Sequence, residues 1–196
     1  RRPKTLQMLL SHGANSNDKT VNGWSALHMA VSVISGEILD ILLRYGANPN
    51  YKTSLGETPL HTIALTGDSV GAQKLISYGA IVTVVSVERK TPLHYAAMAC
   101  SPSTVTVLLI NGIDSTRKDS NNKTALDYAT DKYYQAKAIP DTDHFKQSTV
   151  QRCTSSLNIL LTEQQKRLSL KERCCKVCNL NNIPAPLIKT NKRYLA

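Results

Sequence analysis

Large aromatic side chains are scarce in this 196-residue chain, which holds one Phe and one Trp and only 5% aromatics in all. A core of Phe and Trp is excluded, so the interior has to be assembled from Leu, Ile, Val and Ala. No apolar run approaches the ~18–20 residues that a membrane-spanning helix requires, and no membrane role is expected. The opening residues lack a charged-then-apolar leader, so no secretory signal is read there. Gly (9) and Pro (8) are too few for a collagen-like chain, and 41% hydrophobic residues are too many for a disordered one. Acidic residues are the minority, 14 against 24 Lys+Arg. The resulting formal charge of +10 keeps nucleic acid and acidic proteins open as partners. The length fits one domain, or one domain with an appendage.

Repetition is what the chain has in abundance. The tetrads Ser25-Ala26-Leu27-His28, Thr58-Pro59-Leu60-His61, Thr91-Pro92-Leu93-His94 and Thr124-Ala125-Leu126-Asp127 begin 33 residues apart. Gly13-Ala14, Gly46-Ala47, Gly79-Ala80 and Gly112-Ile113 keep that period, as do Leu9-Leu10, Leu42-Leu43, Leu75-Ile76 and Leu108-Leu109. Chance does not produce three registers with one period. Thr58 and Thr91 suit an N-cap, with Pro59 and Pro92 at the first helical position, where no N–H is needed. Leu27, Leu60, Leu93 and Leu126 are expected to point into a stack, and small residues such as Ala30, Ala64, Ala97 and Ala129 to keep the first helix thin. A second helix follows, as in Ile38-Leu39-Asp40-Ile41-Leu42-Leu43, and Gly46, Gly79 and Gly112 close it.

This pattern resembles the ankyrin repeat over roughly residues 3–130. The resemblance implies an all-α solenoid with short β-hairpin loops, in which the tetrad His bonds loop backbone. The expected units are a partial repeat at 1–21, repeats at 22–54, 55–87 and 88–120, and a degenerate last repeat at 121–163 with an insertion at 134–149. Residues 3–14 look like a second helix alone, so a longer array that continues before Arg1 is expected, with an apolar seam where it is cut. In the last repeat the first helix is expected from Thr124 to about Tyr133. Val150, Cys153, Leu157, Leu160 and Leu161 then mark a delayed second helix.

Residues 168–196 leave the repeat. Leu170, Cys174, Val177 and Cys178 share one face of a short amphipathic helix, and a Pro-containing extended stretch follows. Placed behind ankyrin-like repeats, this segment resembles the SOCS box of the ankyrin-repeat and SOCS-box family. Ser169-Leu170, Cys174 and Cys178 match the helix that docks on elongin C in that family, where the Leu is an apolar anchor and the Cys fills a small pocket. Ile183-Pro184-Ala185-Pro186 is similar to the motif that selects a cullin, and Lys192-Arg193-Tyr194-Leu195 to the family's terminal Lys-x-Tyr-Leu. Arg173 stands where an apolar residue usually precedes the Cys, the stretch before the Pro motif is short, and Ala185 replaces a Leu. The resemblance implies contacts to elongin B/C through Leu170, Cys174 and Cys178, and to a cullin through Ile183, Pro184 and Pro186.

Other chemistry finds little support. Cys174, Cys175 and Cys178 contain one C-x-x-C, but a zinc site needs a second ligand pair, so no metal and no cofactor are expected. Five cysteines without a secretion signal are expected to be reduced thiols of an intracellular protein, cytoplasmic or nuclear. Cys100 falls one period after Gly67 and suits a tight turn. His28, His61 and His94 at 33-residue spacing are expected to be structural, and no catalytic constellation appears. Residues 1–130 hold 12 basic and 9 acidic residues, net +3, whereas 131–196 hold 12 and 5, net +7. The charge therefore sits mostly on the wet side of a docking tail, which disfavours direct nucleic-acid binding.

Stacked repeats form a preformed concave surface of hairpin tips and first helices. The contact positions expected there are Val21, Asn22 and Trp24; Ser54, Leu55 and Glu57; Val87, Glu88 and Lys90; Ser120, Asn121 and Lys123. They continue on the helices as Ser32, Val33, Leu65, Thr66, Met98 and Ala99. Trp24 is the leading single candidate, with packing on the next hairpin as its structural alternative. The function expected is a non-catalytic substrate receptor of a cullin-RING ubiquitin ligase, with a target protein on the concave face. The alternatives are an adaptor that recruits no ligase and a basic nucleic-acid-associated factor.

Overall fold

A computed structural model of the chain describes residues 3–139 and 146–167. The 33-residue period becomes pairs of helices. A lone helix α1 (Pro3–Ser11) is followed by α2 (Ala26–Ser32) and α3 (Gly36–Arg44), α4 (Pro59–Thr66) and α5 (Ser69–Ser77), α6 (Pro92–Met98) and α7 (Pro102–Ile110), and α8 (Ala125–Lys137) and α9 (Lys146–Arg167). The first helices α2, α4, α6 and α8 pack side by side in one layer, while α1 against α3, α5 against α7, and α7 against α9 make the other. No helix of the described residues is long and apolar enough to cross a membrane.

Local chemistry sets these boundaries. Pro59 and Pro92 open α4 and α6 behind Thr58 and Thr91, which are extended and half outside the helix. The second helices end on a left-handed glycine: Gly46, Gly79 and Gly112 have φ of 75°, 86° and 82°. That conformation lets the next N–H reach back, as Ala80 N–H does to the Leu75 carbonyl at 2.9 Å.

The loops that project from the layers form no strand among the described residues. A hydrogen bond closes the base of each, Thr20 N–H to Trp24 O, Thr53 to Glu57, Ser86 to Lys90 and Asp119 to Lys123, all at 2.9 Å, and a second lies inside it, such as Gly56 N–H to Thr53 O at 2.9 Å. One more joins each tip to the next, from Ser54 N–H to Asn22 O, Val87 to Leu55 and Ser120 to Glu88, at 2.8–3.0 Å. The only isolated β-bridge among the described residues, Lys19 with Ser25, shows why the expected β-hairpins reduce to turns: the flanks are too short for a ladder.

The core is the expected Leu, Ile and Ala interior. Leu27, Leu60 and Leu93 are fully buried, whereas Leu126, expected in the stack, is half-buried, because no further first helix covers α8 among the described residues. The Leu9 register is more telling: Leu42, Leu75 and Leu108 are 1%, 0% and 0% exposed, and Leu9 is 56%. An exposed apolar seam of Met8 and Leu9 lies on α1, which has no first-helix partner among the described residues.

The last repeat differs from expectation. Residues 134–137 and 146–149, assigned to an insertion, are helical, so α8 runs past Tyr133 and α9 starts ahead of Val150. The reason is packing: Tyr133 and Ala136 of α8 and Cys153, Leu157, Leu160 and Leu161 of α9 are all buried, and the two helices lie against each other. A second correction concerns the thiols. Cys100, at the exit of α6, and Cys153, on α9, are joined in a disulfide with Cα atoms 4.7 Å apart. The packing of α9 beside α6 brings together two residues 53 positions apart.

The tetrad histidines lock one repeat to the next. Nδ1 of His28, His61 and His94 accepts the N–H of Ser25, Thr58 and Thr91 at 3.2, 3.1 and 3.0 Å. Each ring therefore caps its own helix and carries its proton on Nε2. That Nε2–H donates to the carbonyl of Glu57, Lys90 and Lys123, each at 3.2 Å in the following hairpin. At the last tetrad Asp127 replaces His and caps through Oδ2, 2.7 Å from Thr124 N–H. Desolvation lowers the pKa of all three rings, His61 to about 4. The lock needs this neutral form, because a protonated Nδ1 would face the cap N–H donor to donor.

Two outcomes follow from the packing and the lock. Leu75→Ala should cost about 3 kcal/mol in urea unfolding, and the same change at Leu9 less than about 1 kcal/mol; equal losses would contradict the seam. The unfolded chain takes up protons on His28, His61 and His94 near pH 6.5 and the folded chain only below that. Stability is therefore complete above about pH 6.5 and declines toward pH 4, with His61 contributing about 3 kcal/mol. The urea midpoint should drop between about pH 7.5 and about pH 5, and His61→Gln should flatten that slope. A flat midpoint in the unmutated protein would speak against the lock.

Candidate protein-binding surface

The surface is built on the turn geometry just described. The central pair of each turn, Val21-Asn22, Ser54-Leu55, Val87-Glu88 and Ser120-Asn121, projects from the row of tips, and all eight residues are exposed. Turn positions favour Gly, Asn, Asp and Ser, so Val21, Leu55 and Val87 are unexpected there on local grounds. Their side chains stand largely in solvent, with Val21 fully exposed, Leu55 at 61% and Val87 at 70%. On the adjoining helix layer Met29, Val33 and Leu65 are exposed as well.

The remaining expected positions are tied into the array. Trp24 is half-buried, its ring tilted against His28 at 5.7 Å, so it serves the stack on one face. Glu57 is half-buried and accepts the Tyr95 hydroxyl hydrogen bond. Burial, followed by that bond and the Glu57 charge, raises the Tyr95 phenol above its usual range. Lys90, with only 14% of its side chain exposed, pairs with Glu88 at 2.6 Å, and this bond is the main cause of its raised pKa. Lys123 pairs with Asp131 at 2.6 Å. Both lysines lie 5.5 Å from the Tyr128 ring, whose hydroxyl donates to Asp119 at 2.6 Å. Burial pushes the Asp119 carboxyl up, but hydrogen bonds from Tyr128 and the Lys123 and Asn121 N–H groups outweigh it and hold it low. Met98 and Ala99 are half-buried beside Cys100, in a cleft between the exit of α6, α8 and α9.

The face is consequently polarised. Its first half carries exposed apolar groups, Val21, Met29, Val33, Leu55 and Leu65, and its second half carries Val87 beside charges that already pair with one another. Sequence reasoning missed Tyr95 and Tyr128, which stack edge-on to His61 and His94 at 5.4 and 5.9 Å. It also missed Asn17 and Asn50, which clamp the opposite edge of the array. Asn50 donates to Gly79 O and accepts from Ile81 N–H, each at 2.8 Å, and Asn17 makes the same pair with Gly46 and Asn48. Both pairs sit 33 residues apart, so the period carried the signal. Leu170, Cys174, Cys178, Ile183, Pro184 and Pro186 lie outside the described residues.

No curated protein matches the chain. A family model for ankyrin repeats (3 copies) matches residues 33–119 and 67–138, which together span more than half of the chain. The stacked helix pairs, the tetrads with their bridging histidines and this match agree: the chain belongs to the ankyrin-repeat family, whose members are protein-interaction modules.

Proposed function

We propose that the chain is the target-recognition subunit of a cullin-RING ubiquitin ligase. One observation supports the recognition half: Val21, Leu55 and Val87 stand exposed on turns that are hydrogen-bonded to one another. Such a rigid row of apolar side chains binds a protein with little loss of conformational entropy. Trp24 offers its free face to the same partner, and Asn22, Ser54, Glu57, Glu88, Lys90 and Met98 border the contact. Support for the recruitment half is the spacing of Ser169-Leu170, Cys174 and Cys178 behind α9, with Ile183-Pro184-Ala185-Pro186 beyond it. Leu170, Cys174 and Cys178 would engage elongin C, and Ile183, Pro184 and Pro186 a cullin. In this role the chain performs no chemistry on the target. It raises the effective concentration of the target near a charged ubiquitin-conjugating enzyme, so proximity supplies the acceleration.

A second reading is an adaptor that recruits no ligase. Arg173 and Ala185 favour it, since each replaces an apolar residue of the SOCS-box pattern. Co-purification of the chain with elongin B/C separates the two. Leu170→Ala should lower recovery by at least about tenfold, and Cys174→Phe should abolish it, because an overfilled pocket and a lost anchor each cost about 1.5 kcal/mol or more. If the unmutated chain recovers no elongin C, the adaptor reading stands.

A further inference from the structure

The exit of α6 carries a residue that the backbone does not require. Cys100 adopts a left-handed φ of 48° at the position occupied one period earlier by Gly67, φ 79°. Glycine meets that conformation at lower cost, so turn chemistry does not account for a cysteine. Its sulfur is bonded instead to Cys153, which ties the first-helix layer to α9. Both cysteines border a cleft of about 410 Å³, and Lys132 of α8 and Arg152 of α9 line it as well. Lys132 donates to the Gln135 amide oxygen at 3.2 Å, and Arg152 to the Ala99 carbonyl at 3.3 Å. Neither pairs with a carboxylate among the described residues. A disulfide thus sits in a cleft that carries two cations.

We propose that this cleft is a thiol-exchange site that takes an anionic low-molecular-weight thiol of the glutathione class, and that its redox state latches α9 to the array. Cys100 is 7% exposed and Cys153 1%, and the attack is accordingly assigned to Cys100, the more exposed residue of the pair. The thiolate attacks Cys100 Sγ, a new sulfur–sulfur bond forms there, and the bond to Cys153 breaks. The electron pair departs on Cys153 Sγ, which takes a proton from water. A second thiolate attacks the small-molecule sulfur of the mixed disulfide. It leaves with that sulfur as the small-molecule disulfide and frees Cys100. The reverse sequence, with the small-molecule disulfide as oxidant, restores the latch. Lys132 and Arg152 raise the local concentration of an anionic thiol and favour the departing thiolate.

The test uses the full chain carrying Cys174→Ser, Cys175→Ser and Cys178→Ser, oxidised beforehand with glutathione disulfide. Maleimide labelling and intact mass then follow thiol release by glutathione or by cysteamine, a cationic thiol, at equal thiolate concentration. Glutathione should act at least about fivefold faster, and Lys132→Gln with Arg152→Gln should bring the ratio close to one. The trapped mixed disulfide should map to Cys100. Reduction should speed tryptic cleavage within α9, and Cys100→Ser should reproduce that pattern without any reductant. Equal rates for the two thiols overturn the anionic site. Equal protection of α9 in both redox states overturns the latch. Labelling of both Cys100 and Cys153 in the oxidised sample overturns the whole proposal.

Discussion

A neutral imidazole holds this array together. Each tetrad histidine accepts at Nδ1 from the cap of its own helix and donates at Nε2 to the hairpin of the next repeat. One ring therefore satisfies an orphan N–H and fixes the position of the neighbouring turn. Both bonds require the uncharged ring, and the burial that stacking creates is what keeps it uncharged. Stacking and protonation state thus depend on each other, which makes the interface between repeats more cooperative than apolar contact alone. Asp127 shows the limit of the device. Where the described residues offer no further hairpin to receive a proton, a carboxylate makes the cap and the donor is dispensed with.

The same geometry decides what the surface offers. Once the turns are pinned to each other and to the histidines, their central residues cannot fold back to bury apolar groups. Val21, Leu55 and Val87 are therefore held in solvent. Toward α8 the situation reverses. Lys90, Glu88, Lys123, Asp131 and Asp119 satisfy one another around the Tyr128 ring. Charges already paired contribute little new energy to a partner, so apolar contact near the first tips dominates recognition on this face.

At the other end, α8 and α9 exceed the usual helix length of the array because each buries apolar surface on the other. Helix α9 is fastened at two places: the Cys100 disulfide near its start, and the Arg167 contact with Asp114, 2.9 Å, at its last residue. It is the element from which residues 168–196 continue. These contacts tie Cys153 and Arg167 of α9 to the array.

The 33-residue period by itself determined the fold class, the helix pairs, the N-caps and the structural part played by His28, His61 and His94. Those properties are local or repeat with the period, so a linear pattern encodes them. The period also carried Asn17 with Asn50 and Tyr95 with Tyr128, whose contacts only the stacked array displayed. Which candidate surface residues stand free was not legible. Val21 and Lys90 look equally outward in the sequence, yet one is fully solvated and the other, paired with Glu88 of its own turn, lies mostly covered beside the Tyr128 ring that α8 brings to it. The pairing of Cys100 with Cys153 and the full length of α8 and α9 likewise belong to the tertiary structure. They arise where the period fails and contacts between residues 53 positions apart take over.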